Sequence, residues 1–200
     1  MSTAPVVPAA PQQPAQFPTV YISFSAEINA HTTESLIAVF ANEINQGKRS
    51  FYLMLSTPGG AVMNGLNLYN VLRGFPITLT THNVGNVDSI GNAVFLAGQT
   101  RYACPHSTFM FHGVAFNMPQ GGSLDERVSR ERLSNILSDQ KRIGSIIQER
   151  TTLTPKRVRG MFREAKTVDS AFAASCGIIN EVRDVQVPAG CPVFQLVFQR

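Results

Sequence analysis

The residues Phe51 to Leu55 read F-Y-L-M-L, an apolar run of strand length with no polar break. A run without alternation suits a strand covered on both faces, as in parallel α/β sheets. It leads into S-T-P-G-G at Ser56 to Gly60, then into a helical pattern with Val62, Leu66, Tyr69 and Leu72 on one face. Before it lie a strand-like T-V-Y-I-S-F at Thr19 to Phe24 and a helical segment running to Gln46. Thr32 or Thr33 is the expected cap of that helix; Leu36, Ile37, Phe40 and Ile44 are its expected stripe, and Gly47 ends it. After it, Pro76 to Thr81 reads as a further strand. Strand–helix–strand–helix order predicts an α/β layer architecture with right-handed crossovers.

The chain has 200 residues, 44% of them hydrophobic, enough to bury one sizeable core. Residues 1–18 hold five prolines among alanines and glutamines, a composition expected to stay a mobile tail. Residues 19–187 form the expected single domain, and 188–200 end in P-V-F-Q-L-V-F-Q-R, an edge strand or a pairing arm. A helical pattern over 123–150, with Leu124, Val128, Leu137 and Ile147 among its apolar positions, would be about 40 Å long at 1.5 Å per residue. That is too long to lie wholly on this core, so a projecting helix with a partner surface is expected. Thr154-Pro155 opens another helix to about Phe162. Val168 to Cys176 reads as a short helix stopped by Gly177, and Ile178 to Val182 as a strand.

Composition narrows the function classes. Only 15% of residues are charged and the net charge is +4 with no concentrated stripe, so nucleic acid is not implied. The three cysteines lack metal-ligand spacing, and an odd count argues against a disulfide framework; a reducing compartment fits. No apolar run reaches membrane-spanning length and no secretory signal is visible, so a soluble cytoplasmic protein is expected. His82 and His106 read as polar loop residues and His31 as a turn residue; no metal or cofactor is implied. Gly59-Gly60 lacks the lysine and hydroxyl of a phosphate loop.

The chemistry concentrates between Val84 and Gly113. A glycine-marked turn presents Ser89 at the head of an apolar helical run, and His112 closes a short apolar strand. A serine hydroxyl needs a base to accept its proton, and that base needs an orienting acid. Two N–H donors must meet the oxyanion. Ile90 follows Ser89, and the tandem Gly59-Gly60 lets backbone approach a ligand closely.

In order along the chain, S-T-P-G-G, G-N-V-D-S-I-G-N-A-V-F-L-A-G, R-Y-A-C-P-H-S-T-F-M-F-H-G and A-A-S-C-G-I-I-N-E-V resemble the proteolytic subunit of the Clp protease, the ClpP family of serine peptidases. The resemblance covers roughly Val20 to Val182. It implies the ClpP/crotonase-like α/β fold with repeated β-β-α units, and a protruding handle helix over about 123–150. It implies an ATP-dependent serine endopeptidase with Ser89 as nucleophile, His112 as base, and the amides of Gly60 and Ile90 as oxyanion hole. Gly59, Gly121 and Gly122 would align the polypeptide substrate. A homo-oligomeric ring, two stacked heptamers in the family's usual form, and an AAA+ ATPase partner are implied as well.

The family's third catalytic residue, an aspartate, falls on Ala165 here when counted without gaps. Glu164 and Asp169 are the nearest replacements, with Asp88 third. The missing aspartate makes a catalytically inactive structural subunit the alternative reading. An acyl-CoA enzyme on the related crotonase fold is a third.

Overall fold

The computed structural model describes residues 19–115, 125–191 and 193–198. The expected tail at 1–18 and the Gly121-Gly122 pair lie outside them. In chain order the elements are β1 (Val20–Ser25), α1 (Ala30–Asn45), β2 (Ser50–Thr57), α2 (Val62–Gly74), β3 (Thr78–Asp88), α3 (Gly91–Phe95), β4 (Thr100–Ala103) and β5 (Thr108–Phe111). They continue as α4 (Glu126–Arg150), α5 (Pro155–Glu164), β6 (Lys166–Asp169), α6 (Ser170–Ser175), β7 (Glu181–Val182) and β8 (Val193–Leu196). One sheet runs β6-β5-β3-β2-β1-β8, with β4 inserted between β3 and β7. Every pairing is parallel except β5 with β6. This is a mixed α/β fold on a mostly parallel sheet. No helix among the described residues is long and apolar enough to cross a membrane.

The core forms where the apolar stripes meet the sheet. Ile22 and Phe24 of β1, and Leu53 and Leu55 of β2, are buried together with Leu36 and Phe40 of α1 and Leu66 of α2. Phe40 packs on Phe51 with ring centroids 4.8 Å apart. The cap of α1 is Asn29 rather than Thr32 or Thr33: its side chain accepts from the Thr32 N–H, and the Thr32 hydroxyl accepts from the Asn29 N–H, a reciprocal capping box.

Strand β2 departs from the expectation of two covered faces. Its residues alternate between buried and half-buried, with Phe51, Leu53 and Leu55 on the core side. Tyr52 on the other side joins an aromatic layer, stacking on Tyr21 at 4.8 Å and lying 6.5 Å from Tyr102. His82 belongs to this layer and not to a loop; it is fully buried within β3. Its Nε2–H donates to the Arg183 carbonyl at 3.0 Å, because a carbonyl can only accept, and so Nδ1 accepts from the Tyr52 hydroxyl at 2.5 Å. Burial holds the His82 pKa below its ordinary value and pushes Tyr52 up to about 12.

The segment after Phe162 also differs from its sequence reading. Lys166–Asp169 forms β6, antiparallel to β5, and the helix begins only at Ser170. The apolar pattern of Val168 to Cys176 merges two elements, because Val168 is buried from a strand and Ala173 from a helix. The long helix α4 starts with Asp125 accepting from the Val128 N–H at 2.7 Å. Its buried residues, Ile143, Gly144, Ile146 and Ile147, all lie in the last turns, while Leu133 and Leu137 are each 56% exposed. Its first half therefore extends away from the core. At the other end, buried Arg101 donates to the carbonyls of Gly98, Arg150, Gly177 and Ile178, and Arg150 donates to those of Leu96 and Gly98. These guanidiniums tie the end of α3 to α4 and α6. At the sheet's edge, β8 pairs in parallel with β1.

Candidate active site

Strand β3 forks. Thr80 to Asn83 pair with β4, and Asn86 to Asp88 pair with β5. Between them β2 loses register, with Leu55 opposite Asn83 and Thr57 opposite Val87, so Gly85 lies in an irregular stretch of strand instead of the turn its sequence suggests. The fork makes β3 and β5 parallel neighbours with Asp88 opposite Met110. Ser89 follows the last residue of β3 and His112 the last residue of β5, so both emerge at the same carboxyl edge. That edge is where parallel α/β sheets place their ligand crevices.

Ser89 adopts φ +57°, a left-handed conformation that costs an L-residue about 1–2 kcal/mol. Its N–H donates to the Met110 carbonyl at 2.8 Å. Asn92, 1% exposed, donates its Nδ2 to the carbonyls of both Ser89 (3.1 Å) and Met110 (2.8 Å). The strained turn is thus bound to the strand that leads to His112. Strain held in place by its surroundings is a mark of functional positions.

Gly59 and Gly60 close the site from the end of β2. A Cβ on Gly59 (φ +89°) would stand 2.7 Å from the Ser89 Cβ, and one on Gly60 (φ +145°) 2.2 Å from the Ile28 carbonyl oxygen. Only glycine fits at either position. Ile28 donates its N–H to the Gly59 carbonyl and accepts from the Ala61 N–H, which leaves the Gly60 amide outside this bridge. Among the described residues neither the Gly60 nor the Ile90 N–H has a hydrogen-bond acceptor.

Ser89, His112 and Gly60 line one pocket of about 140 Å³ with Val62, Phe111 and Phe162. His112 is half-buried, and its Nδ1–H donates to the Gly113 carbonyl at 2.7 Å, which leaves Nε2 as the basic nitrogen. No carboxylate is bonded to it among the described residues. Glu164 is exposed at the end of α5. Asp169 sits opposite Thr108, at the far end of the β5–β6 ladder from Phe111, and its Oδ1 caps α6 by accepting from the Phe172 N–H. Asp88 accepts from the Asn86 side chain at 2.7 Å. The structure thus brings Ser89, Ile90, Gly59, Gly60 and His112 together, and among the described residues none of the candidate acids is hydrogen-bonded to His112. His106 is exposed in the turn before β5, and His31 is exposed in the first turn of α1.

A strained serine at a strand-to-helix turn, two free amides and a neighbouring histidine are the parts of an acyl-transfer site. A family model described as Clp protease matches residues 16–186. The chain belongs to the Clp protease family. The match contains every element from β1 to β7 and stops before β8, so fold and general class, a ClpP-type peptidase domain, follow from membership.

Sequence reasoning did not single out Asn92, Arg101 or Phe162. Asn92 carried a usable signal, since it is the one polar residue in G-N-A-V-F-L-A. Phe162 carried none, because its place beside His112 depends on how α5 packs on α4.

Proposed function

We propose that the chain is a serine endopeptidase of the ClpP type, hydrolysing peptide bonds of unfolded proteins or short peptides. Ser89 Oγ attacks the scissile carbonyl carbon while His112 Nε2 takes its proton. The N–H groups of Gly60 and Ile90 receive the oxyanion. Collapse of the tetrahedral intermediate expels the amine, which leaves with the proton held on His112. Water then repeats the sequence on the acyl-serine, with His112 again as base, and frees the acid. The apolar pocket lined by Val62, Phe111, Ile143 and Phe162 suits an apolar side chain next to the scissile bond.

The observation that carries this reading is Ser89 at φ +57°, sharing one pocket with His112 and Gly60. The exposed Leu133 on the extended half of α4 supports assembly of several copies into a ring. An AAA+ ATPase partner and a cytoplasmic location complete the family-based proposal. Hydrolysis of an unstructured fluorogenic peptide, lost in Ser89→Ala, tests it.

One observation favours a second reading. The acid position holds Ala165, and the His112 Nδ1–H meets a neutral carbonyl instead of a carboxylate. A carbonyl fixes the tautomer but supplies no negative charge to stabilise the imidazolium. An inactive subunit with a structural role in a ring would need no such charge; the same peptide, left uncleaved by an assembled wild-type protein, would favour it.

A further inference from the structure

A second and larger cavity, about 810 Å³, lies between α4 and α5. Gly113, the residue after His112, lines it, and Phe162 lines both it and the pocket that holds Ser89. Its walls follow helical spacing: Leu137, Lys141 and Gly144 on α4 face Lys156, Arg159 and Arg163 on α5. Four cations thus border one groove, Lys141 on one side and Lys156, Arg159 and Arg163 on the other, and all four are exposed. No carboxylate lines it among the described residues. Among the described residues the ion pairs engage other cations, and none of these four has a carboxylate partner. Residues 116–124, which connect this region to α4, contain no Asp or Glu. Four like charges around one groove give it a positive potential that favours an anionic segment.

We propose that this groove is a substrate subsite that selects peptide segments bearing Asp or Glu some residues away from the scissile bond. The proposal rests on the peptidase reading above, because Phe162 borders both the groove and the Ser89 pocket. Carboxylates of the bound segment pair with Lys156, Arg159 and Arg163 on one wall and Lys141 on the other. The apolar floor at Leu137 and Val158 receives the methylenes of their side chains. Exposed pairs of this kind contribute modestly one by one, so discrimination of about tenfold for a tri-glutamate segment is the expected scale.

The test uses two fluorogenic peptides with one apolar core, extended at either end by three glutamates or by three glutamines. For the wild-type protein, kcat/KM is expected to favour the glutamate peptide about tenfold, through KM, with the preference shrinking as salt is raised. Lys156→Gln with Arg159→Gln should bring the ratio close to one; the ratio cancels any loss of folding or assembly that both substrates share. Equal turnover of both peptides by the wild type, or a ratio that survives the double substitution, overturns the proposal. Anisotropy of the labelled glutamate peptide on Ser89→Ala protein separates the two readings. If it binds more tightly than the glutamine peptide and the double substitution removes that advantage, the subsite stands, even where neither peptide is cleaved and the peptidase reading fails. If the double substitution changes sedimentation and leaves peptide affinity unchanged, the groove is a contact between copies and the proposal falls.

Discussion

Ala165 and His112 each lie one residue beyond the same end of the β5–β6 ladder. Phe111 pairs with Lys166 there, and the residues that follow the ladder outward are His112 on one strand and Ala165 on the other. Ala165 also closes α5 in a left-handed conformation, φ +50°. Aspartate tolerates that conformation better than most residues. Ala165→Asp should therefore place a carboxylate beside the imidazole without disturbing the helix end. An increase in kcat of tenfold or more is expected, with a ceiling of about four orders of magnitude, the loss seen when a triad acid is neutralised. Steady-state hydrolysis of the fluorogenic core peptide measures it. An unchanged rate in a folded variant would mean that orientation of His112 does not limit the chemistry.

Asn92 binds the Ser89 carbonyl and the Met110 carbonyl with a single amide. Asn92→Ala leaves two buried carbonyls without that donor, at a cost of about 1–3 kcal/mol. Both stability and kcat are expected to fall, and KM much less, because the turn that places Ser89 loosens while the substrate pocket keeps its walls. Urea denaturation and single-substrate kinetics read the two effects separately.

Gly60→Ala forces a methyl into the Ile28 carbonyl oxygen, 2.2 Å from the ideal Cβ position, at a φ of +145° that disfavours side chains. A loss of about 1–3 kcal/mol in stability is expected from the strained backbone alone. Thermal melting measures it, and Gly74→Ala, where a Cβ meets nothing within 4 Å, is the control expected to melt like the wild type.

His82 gives the fold an acid-sensitive element. Burial is the main cause that keeps its folded pKa below the ordinary 6.5; the Arg183 charge lowers it further, while the hydrogen bond to the Arg183 carbonyl and the Asp184 charge oppose the shift. Above 6.5 the folded and unfolded chains both hold it neutral, and its contribution to stability is fully present. As pH falls below 6.5 the unfolded chain takes up the proton first, and stability declines by at most about 1.4 kcal/mol per pH unit until the folded value is passed. His82→Gln should flatten this part of the stability profile. Urea midpoints between about pH 7.5 and 5 test it, bracketing the range in which histidine titrates.

Much of the fold was legible because its signals are local. The apolar run at Phe51 to Leu55, the Thr154-Pro155 helix start and the pattern of α2 all correspond to elements of the structure. The residues gathered around the candidate site were legible where chemistry and sequence adjacency coincide, at Ser89-Ile90, Gly59-Gly60 and the end of β5. What could not be read depends on pairing between distant segments. Strand β6 exists because it finds β5, and nothing in K-T-V-D announces that. His82 is buried because Tyr52 and the Arg183 carbonyl converge on it from 30 residues before and 101 after. The orienting group of His112 was sought among carboxylates, whereas the bond it makes is to the backbone of the next residue.

The central claim is that Ser89 is a nucleophile activated by His112. Labelling of the purified protein with a fluorophosphonate, followed by peptide mapping, addresses it most directly. The account predicts one phosphonylated residue, Ser89, and loss of the label in His112→Ala. No label on the folded wild-type protein, or a label on Ser89 that persists at the same rate without His112, would contradict it.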